Sequence, residues 1–121
     1  MRRLGRAQFV AQERRRKLMS MYDMANMKKL KSLGAEAPAT WKGYLAFDEA
    51  ARADGAIPKK YKELMAVAVA LTTQCPYCIE IHKGEALKAG ATEVELAETA
   101  FVAADLRAGG TITHATHLMS E

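Results

Sequence analysis

Cysteine, proline and aromatic residues are all scarce in this chain of 121 residues, and each scarcity narrows what it can be. Two cysteines cannot build the disulfide framework of a small secreted domain. Aromatics at 7% leave few rings for stacking on bases. No apolar run approaches the ~18 residues of a membrane span, and the N-terminus has no apolar signal core. A soluble, cytoplasmic setting is therefore expected, with no membrane partner. Half of the residues are hydrophobic and 26% are charged, which argues against disorder throughout and fits one compact domain.

Charge is unevenly distributed. Residues 1–31 hold ten Lys and Arg against Glu13 and Asp23, a net +8, while the rest of the chain is net −4. The overall +4 thus belongs to an N-terminal segment, and it argues against a nucleic-acid role for the body. Five of the seven Met lie in the first 27 residues, with Met21, Met24 and Met27 at helical spacing. The pattern predicts one long amphipathic helix from Gln8 to Leu33, stopped by Gly34. Its Met face suits packing on a core or a neighbouring subunit, and its basic side suits solvent. We divide the chain into a basic arm, residues 1–28, and a domain, residues 29–121.

The three prolines punctuate the rest of the chain. Pro38 opens a helix that passes Trp41, Leu45 and Ala50 to a stop at Asp54-Gly55. Pro58 suits the first turn of the next, whose stretch Leu64–Leu71 is apolar on nearly every side and is expected to be central and buried. Pro76 starts another, ending at Ala89-Gly90. Thr92 with Glu95 reads as a capping box for a helix with an apolar face at Leu96, Ala100, Ala103 and Ala104. Gly109-Gly110 is expected to break it, leaving a short last helix from about Thr111 to Leu118. The sum is an all-α domain of about six helices.

Chemistry concentrates in Cys75-Pro76-Tyr77-Cys78. Two cysteines so spaced at a helix start can close a small disulfide ring, and the free N–H groups and positive dipole end there favour a thiolate. The cap position favours Cys75 as the reactive thiol. His82, four residues after Cys78 and on the same helix face, favours Cys78. Glu63 on the preceding helix could orient His82 and fix its tautomer. Thiolate formation alone achieves little. Lowering a thiol pKa from ~8.5 to ~6.5 raises the thiolate fraction about 25-fold at neutral pH, while nucleophilicity falls about 8-fold. The remaining threefold requires His82 to act also as a proton donor to a leaving oxygen or sulfur, as peroxide or disulfide chemistry needs.

Two rival assignments fare worse. Zinc on Cys75, Cys78 and His82 needs a fourth ligand from Glu63, His114 or His117, none at a familiar spacing. A glutaredoxin-type fold needs a later cis-proline strand, but no Pro follows Pro76 and only 43 residues follow Cys78. His114 and His117, three apart, read as surface or subunit-contact residues.

Glu63, eleven residues, Cys75-Pro76-Tyr77-Cys78, three residues and His82 together resemble the signature of the alkylhydroperoxidase D-like core of the carboxymuconolactone decarboxylase family. Lys62-Glu63-Leu64, Ala89-Gly90-Ala91-Thr92 and the stretch from Ala103 to Gly109 agree, and the likeness spans about residues 30–118. The resemblance implies an all-helical fold, assembly into trimers or hexamers, and a thiol-dependent peroxidase. That enzyme would reduce hydroperoxides at the expense of a lipoyl- or thioredoxin-type dithiol protein, without cofactor or metal. It implies Cys78 as the attacking thiol, Cys75 as the resolving one, and His82 with Glu63 as the proton relay. Tyr77 stands where the peroxidase prototype has a His. Alternatives are a dithiol–disulfide reductase serving a partner protein, or a redox-sensing interaction module without peroxidase turnover.

Overall fold

The structure is a computed structural model. It describes residues 5–19 and 22–121, without the side chains of residues 17–19. Every regular element among the described residues is helical. Contacts divide the chain into two units, one ending at Pro38 and the other spanning Ala39–Glu121.

In the first unit, α1 (Arg6–Met19) is followed by a 3₁₀ turn, Met24–Lys29, and by α2 (Leu30–Glu36). The single helix expected from Gln8 to Leu33 is therefore interrupted. Asp23 is extended and caps the 3₁₀ turn, its Oδ1 accepting the Ala25 N–H at 2.9 Å. Such a cap competes with helical continuation, which explains the break. Gly34 does not stop the helix either: it is buried inside α2, which ends where Ala37 precedes Pro38. Proline excludes the helical conformation from the residue before it, so Pro38 is the terminator. Arg2, Arg3 and Met21 lie outside the described residues.

The second unit is built on α3 (Pro38–Arg52), α4 (Lys59–Thr73), α5 (Pro76–Lys88) and α6 (Glu93–His114), closed by a 3₁₀ turn, Ala115–Leu118. Helices α5 and α6 both pack against α4. All three prolines stand at helix starts, with Pro58 at the cap of α4 and Pro76 at the first position of α5. Gln74 takes a left-handed conformation, φ 55°, so α4 turns into α5 in a single step. Helix α5 ends in a Schellman motif. Gly90, at φ +95°, donates to Leu87 O, and Ala91 donates to Ala86 O at 2.9 Å, with both alanines buried. The capping box is formed: Thr92 Oγ1 accepts from Glu95 N at 3.1 Å, and Glu95 Oε2 accepts from Thr92 N at 2.9 Å. Lys60 reaches the same Glu95 at 2.8 Å and ties α4 to α6.

Two expectations need correction here. Helix α6 continues through Gly109-Gly110 to His114, so no separate helix starts at Thr111. Glycine weakens a helix interior by about 1 kcal/mol but does not end it unless the chain turns there, and neither residue has a positive φ. Nor is Leu64–Leu71 buried all round. Leu64, Val67 and Ala70 are in the core, whereas Met65 and Val69 are more than half exposed.

Candidate active site

Cys75 and Cys78 are joined as a disulfide at the start of α5, with their Cα atoms 5.4 Å apart. Cys75 is the extended cap residue, Pro76 follows it, and the Cys78 N–H donates to Cys75 Sγ at 3.3 Å. The sulfur thus takes the place a serine oxygen fills at an ordinary helix cap. Both cysteines are partly buried. His82 lies four residues along the same helix, about 6 Å further up its axis.

The turn at Gln74 sends α5 back along α4, so the early part of α4 faces the middle of α5. Glu63 and His82 meet there: His82 Nδ1 lies 2.8 Å from Glu63 Oε2. Glu63 is the largest fully buried side chain among the described residues. Its other oxygen, Oε1, accepts from Arg52 Nη1 at 2.8 Å and from Lys59 Nζ at 3.5 Å. Arg52 in turn is held by Asp48, through Nη2 to Oδ2 at 2.6 Å and Nε to Oδ1 at 3.3 Å. An unbroken line of charge-assisted contacts therefore runs Asp48, Arg52, Glu63, His82.

Burial works against ionisation of Glu63, but hydrogen bonds from His82 and Arg52, with the charge of both, outweigh it and hold its carboxyl below the ordinary range. The Arg52 hydrogen bond likewise lowers Asp48, and the bonds to Asp48 and Glu63 raise Arg52 further above its usual value. Which of the two partners carries the shared proton sets the tautomer of the ring, and with it whether His82 Nε2 donates or accepts.

All four expected site residues thus lie on α4, α5 and the turn between them, and the Glu63–His82 pairing is direct. Asp48, Arg52 and Lys59 escape a reading of the sequence. Their signals are present in it as two helical i,i+4 ion pairs, Asp48–Arg52 and Lys59–Glu63, but such pairs are common on solvated faces. His114 ends α6 and His117 lies in the 3₁₀ turn that follows, rings 6.2 Å apart, with His114 Nδ1 2.8 Å from Gly110 O.

A sequence profile of the carboxymuconolactone decarboxylase family matches residues 38–121, which hold every residue of this site. The chain belongs to the carboxymuconolactone decarboxylase family. A carboxymuconolactone decarboxylase family protein from Legionella pneumophila, solved in its apo form, is 37% identical and superposes with a TM-score of 0.64. That match covers 74% of this chain and 80% of the other. A solved protein from Methanobacterium thermoautotrophicum is 38% identical, TM-score 0.67, over 71% of this chain and 97% of the other. Among curated sequences, "Uncharacterized protein 4 in cox locus" of Paracoccus denitrificans is 46% identical over 77 residues, 64% of this chain and 69% of its own length. The family contains enzymes, decarboxylases and peroxidases among them. No helix among the described residues is long and apolar enough to cross a membrane.

Proposed function

We propose that this member of the carboxymuconolactone decarboxylase family is a thiol-dependent peroxidase cycling between the Cys75–Cys78 dithiol and disulfide. The reading is carried by one observation: His82, on the helix that the cysteine pair caps, is hydrogen-bonded at 2.8 Å to the fully buried Glu63. In the reduced protein His82 Nε2 takes the Cys78 thiol proton. The thiolate attacks the terminal oxygen of a hydroperoxide, an S–O bond forms, the O–O bond breaks, and the alcohol leaves with the proton returned by His82. Cys75 then attacks the sulfenic acid at Cys78, closing the disulfide and releasing water. An external dithiol, lipoyl- or thioredoxin-type, restores both thiols and is itself oxidised to a disulfide. Residues 29–121 carry this chemistry, and residues 1–28 form an accessory basic arm.

A second reading rests on Tyr77, which with Pro76 separates the cysteines and puts a phenol where the peroxidase prototype has an imidazole. It makes the protein a dithiol–disulfide reductase for a partner protein. Assembly into trimers or hexamers suits either reading, because Phe101, Val102, Leu106 and Ile112 on α6 are all at least 60% exposed within their unit.

Steady-state turnover with a panel of hydroperoxides and dithiols tests both. Peroxide consumption coupled to dithiol oxidation, abolished in Cys78→Ser, is expected. In Cys75→Ser, Cys78 should accumulate as a sulfenic acid that a dimedone-type probe traps. Disulfide reduction without peroxide consumption would move the assignment to the second reading.

A further inference from the structure

The proposed mechanism needs Glu63 as a carboxylate, although its side chain has no solvent exposure. A buried carboxyl against one imidazole has two neutral arrangements. In one, the carboxylate accepts from Nδ1–H of an imidazolium, or of a neutral ring balanced by another cation. In the other, a carboxylic acid donates its own proton to Nδ1, and the ring carries its proton on Nε2. The second arrangement costs no buried charge, so burial favours it. It also disables the site, because Nε2–H cannot accept a thiol proton.

The choice falls to the groups around the pair. From α3 come Arg52 and Asp48, from α4 Lys59, and from α5 Glu85, three residues beyond His82 and bonded to Lys88. Lys59 is 3.5 Å from Glu63 and 40% exposed, so solvent screens its charge and the contact is the weaker of the two. Arg52 is 2.8 Å away, carries only donors, and keeps its charge at every relevant pH. Its planar fork is fully engaged, two nitrogens on Asp48 and the third on Glu63.

We propose that Arg52, braced by Asp48, is a positioning residue that holds Glu63 as an acceptor-only carboxylate and so locks His82 in the tautomer whose Nε2 accepts the thiol proton. This rests on the reading of His82 as the thiol's proton acceptor, but the tautomer can be measured without turnover.

The test is nuclear magnetic resonance on the full-length disulfide form, where the cysteines do not titrate. Ring ¹⁵N signals give the His82 tautomer, and the Glu63 carboxyl carbon gives its protonation. In the wild type the neutral ring should be protonated at Nδ1, with Glu63 titrating below its ordinary 4.5. Arg52→Met should bind the Glu63 proton at least tenfold more tightly, about one pH unit, and should populate the Nε2–H tautomer. Arg52→Lys keeps the charge without the fork and should move both signals the same way by less; it decides the matter if the Met variant does not fold. Wild-type tautomer and Glu63 titration in both variants would overturn the proposal. If these signals respond while the wild type turns over neither hydroperoxide nor dithiol, the functional reading fails and the positioning role stands. If turnover is present and the signals do not respond, the reverse holds.

Discussion

The contact of α4 with α5 and the outer face of α6 reverse the usual placing of polar and apolar groups. At the first, a carboxylate is wholly buried, with His82, Arg52 and Lys59 all directed at it. On the second, Phe101 is 76% and Ile112 70% exposed. The core between them is made largely of small residues, Ala70, Ala86, Ala91 and Ala103, beside Leu64 and Val67. A buried ion network is weak support for stability, because desolvation offsets most of its attraction. Such a network can hold groups in one geometry, and here that geometry is the one the proposed proton relay requires. The apolar face of α6 has the opposite character: no chemistry, and area that stabilises only when covered.

The largest effect is expected at His82. His82→Ala should lower the thiol-dependent rate by roughly 10²–10⁴-fold, the range for losing a general acid–base. Its residual rate should become strongly pH-dependent, rising toward alkaline pH as the unassisted thiol ionises. Glu63→Gln should lose less, and the double variant should be little worse than His82→Ala alone, since Glu63 acts through His82. Multiplying losses in a pH–rate series would show that the two do not act as one unit.

On α6 the corresponding change is Phe101→Lys with Leu106→Lys. Each side chain is worth about 1.5–3 kcal/mol when buried, so an assembly that covers this face should weaken at least a hundredfold. Light scattering should show wild-type mass of three chains or more and a smaller species in the variant, with helical circular dichroism kept. A wild-type monomer with full activity would remove the assembly from the proposal. Deleting residues 1–20 should leave turnover near normal.

Acid sharpens the contrast further. Glu63 and Asp48 both titrate below their ordinary values of 4.5 and 3.8 in the folded protein. The unfolded chain therefore binds more protons as pH falls. The stabilisation is complete above about pH 4.5 and is lost as pH drops through the folded values. Urea titrations should show a steeper fall of stability below pH 4.5 in the wild type than in Glu63→Gln. The smallest effects belong to the turns flanking α5. Gly90→Ala places a Cβ at φ +95° and should destabilise by about 1–2 kcal/mol. Gln74→Gly should stabilise by up to about 1 kcal/mol, by relieving the left-handed residue between α4 and α5. Thermal melts would read both.

Sequence alone determined the parts of this protein that depend on neighbours a few residues away. Proline geometry placed the starts of α3, α4 and α5, side-chain caps placed Thr92 and Glu95, and Gly90 placed the end of α5, because each acts through its own backbone. The cysteine pair at a helix start and His82 one turn on were legible for the same reason. Glycine pairs and apolar runs were misleading: Gly109-Gly110 stay helical because the chain does not turn there, and Val69 falls on the exposed side of α4. Only the tertiary structure decided that Glu63 meets His82, and that Arg52 and Asp48, eleven and fifteen residues before Glu63, complete its charge environment. Nothing in a helical i,i+4 pair says whether its cation ends in water or on a buried carboxylate. That depends on the reversal at Gln74 and on the polypeptide returning from α3, which bring distant charges within hydrogen-bonding distance.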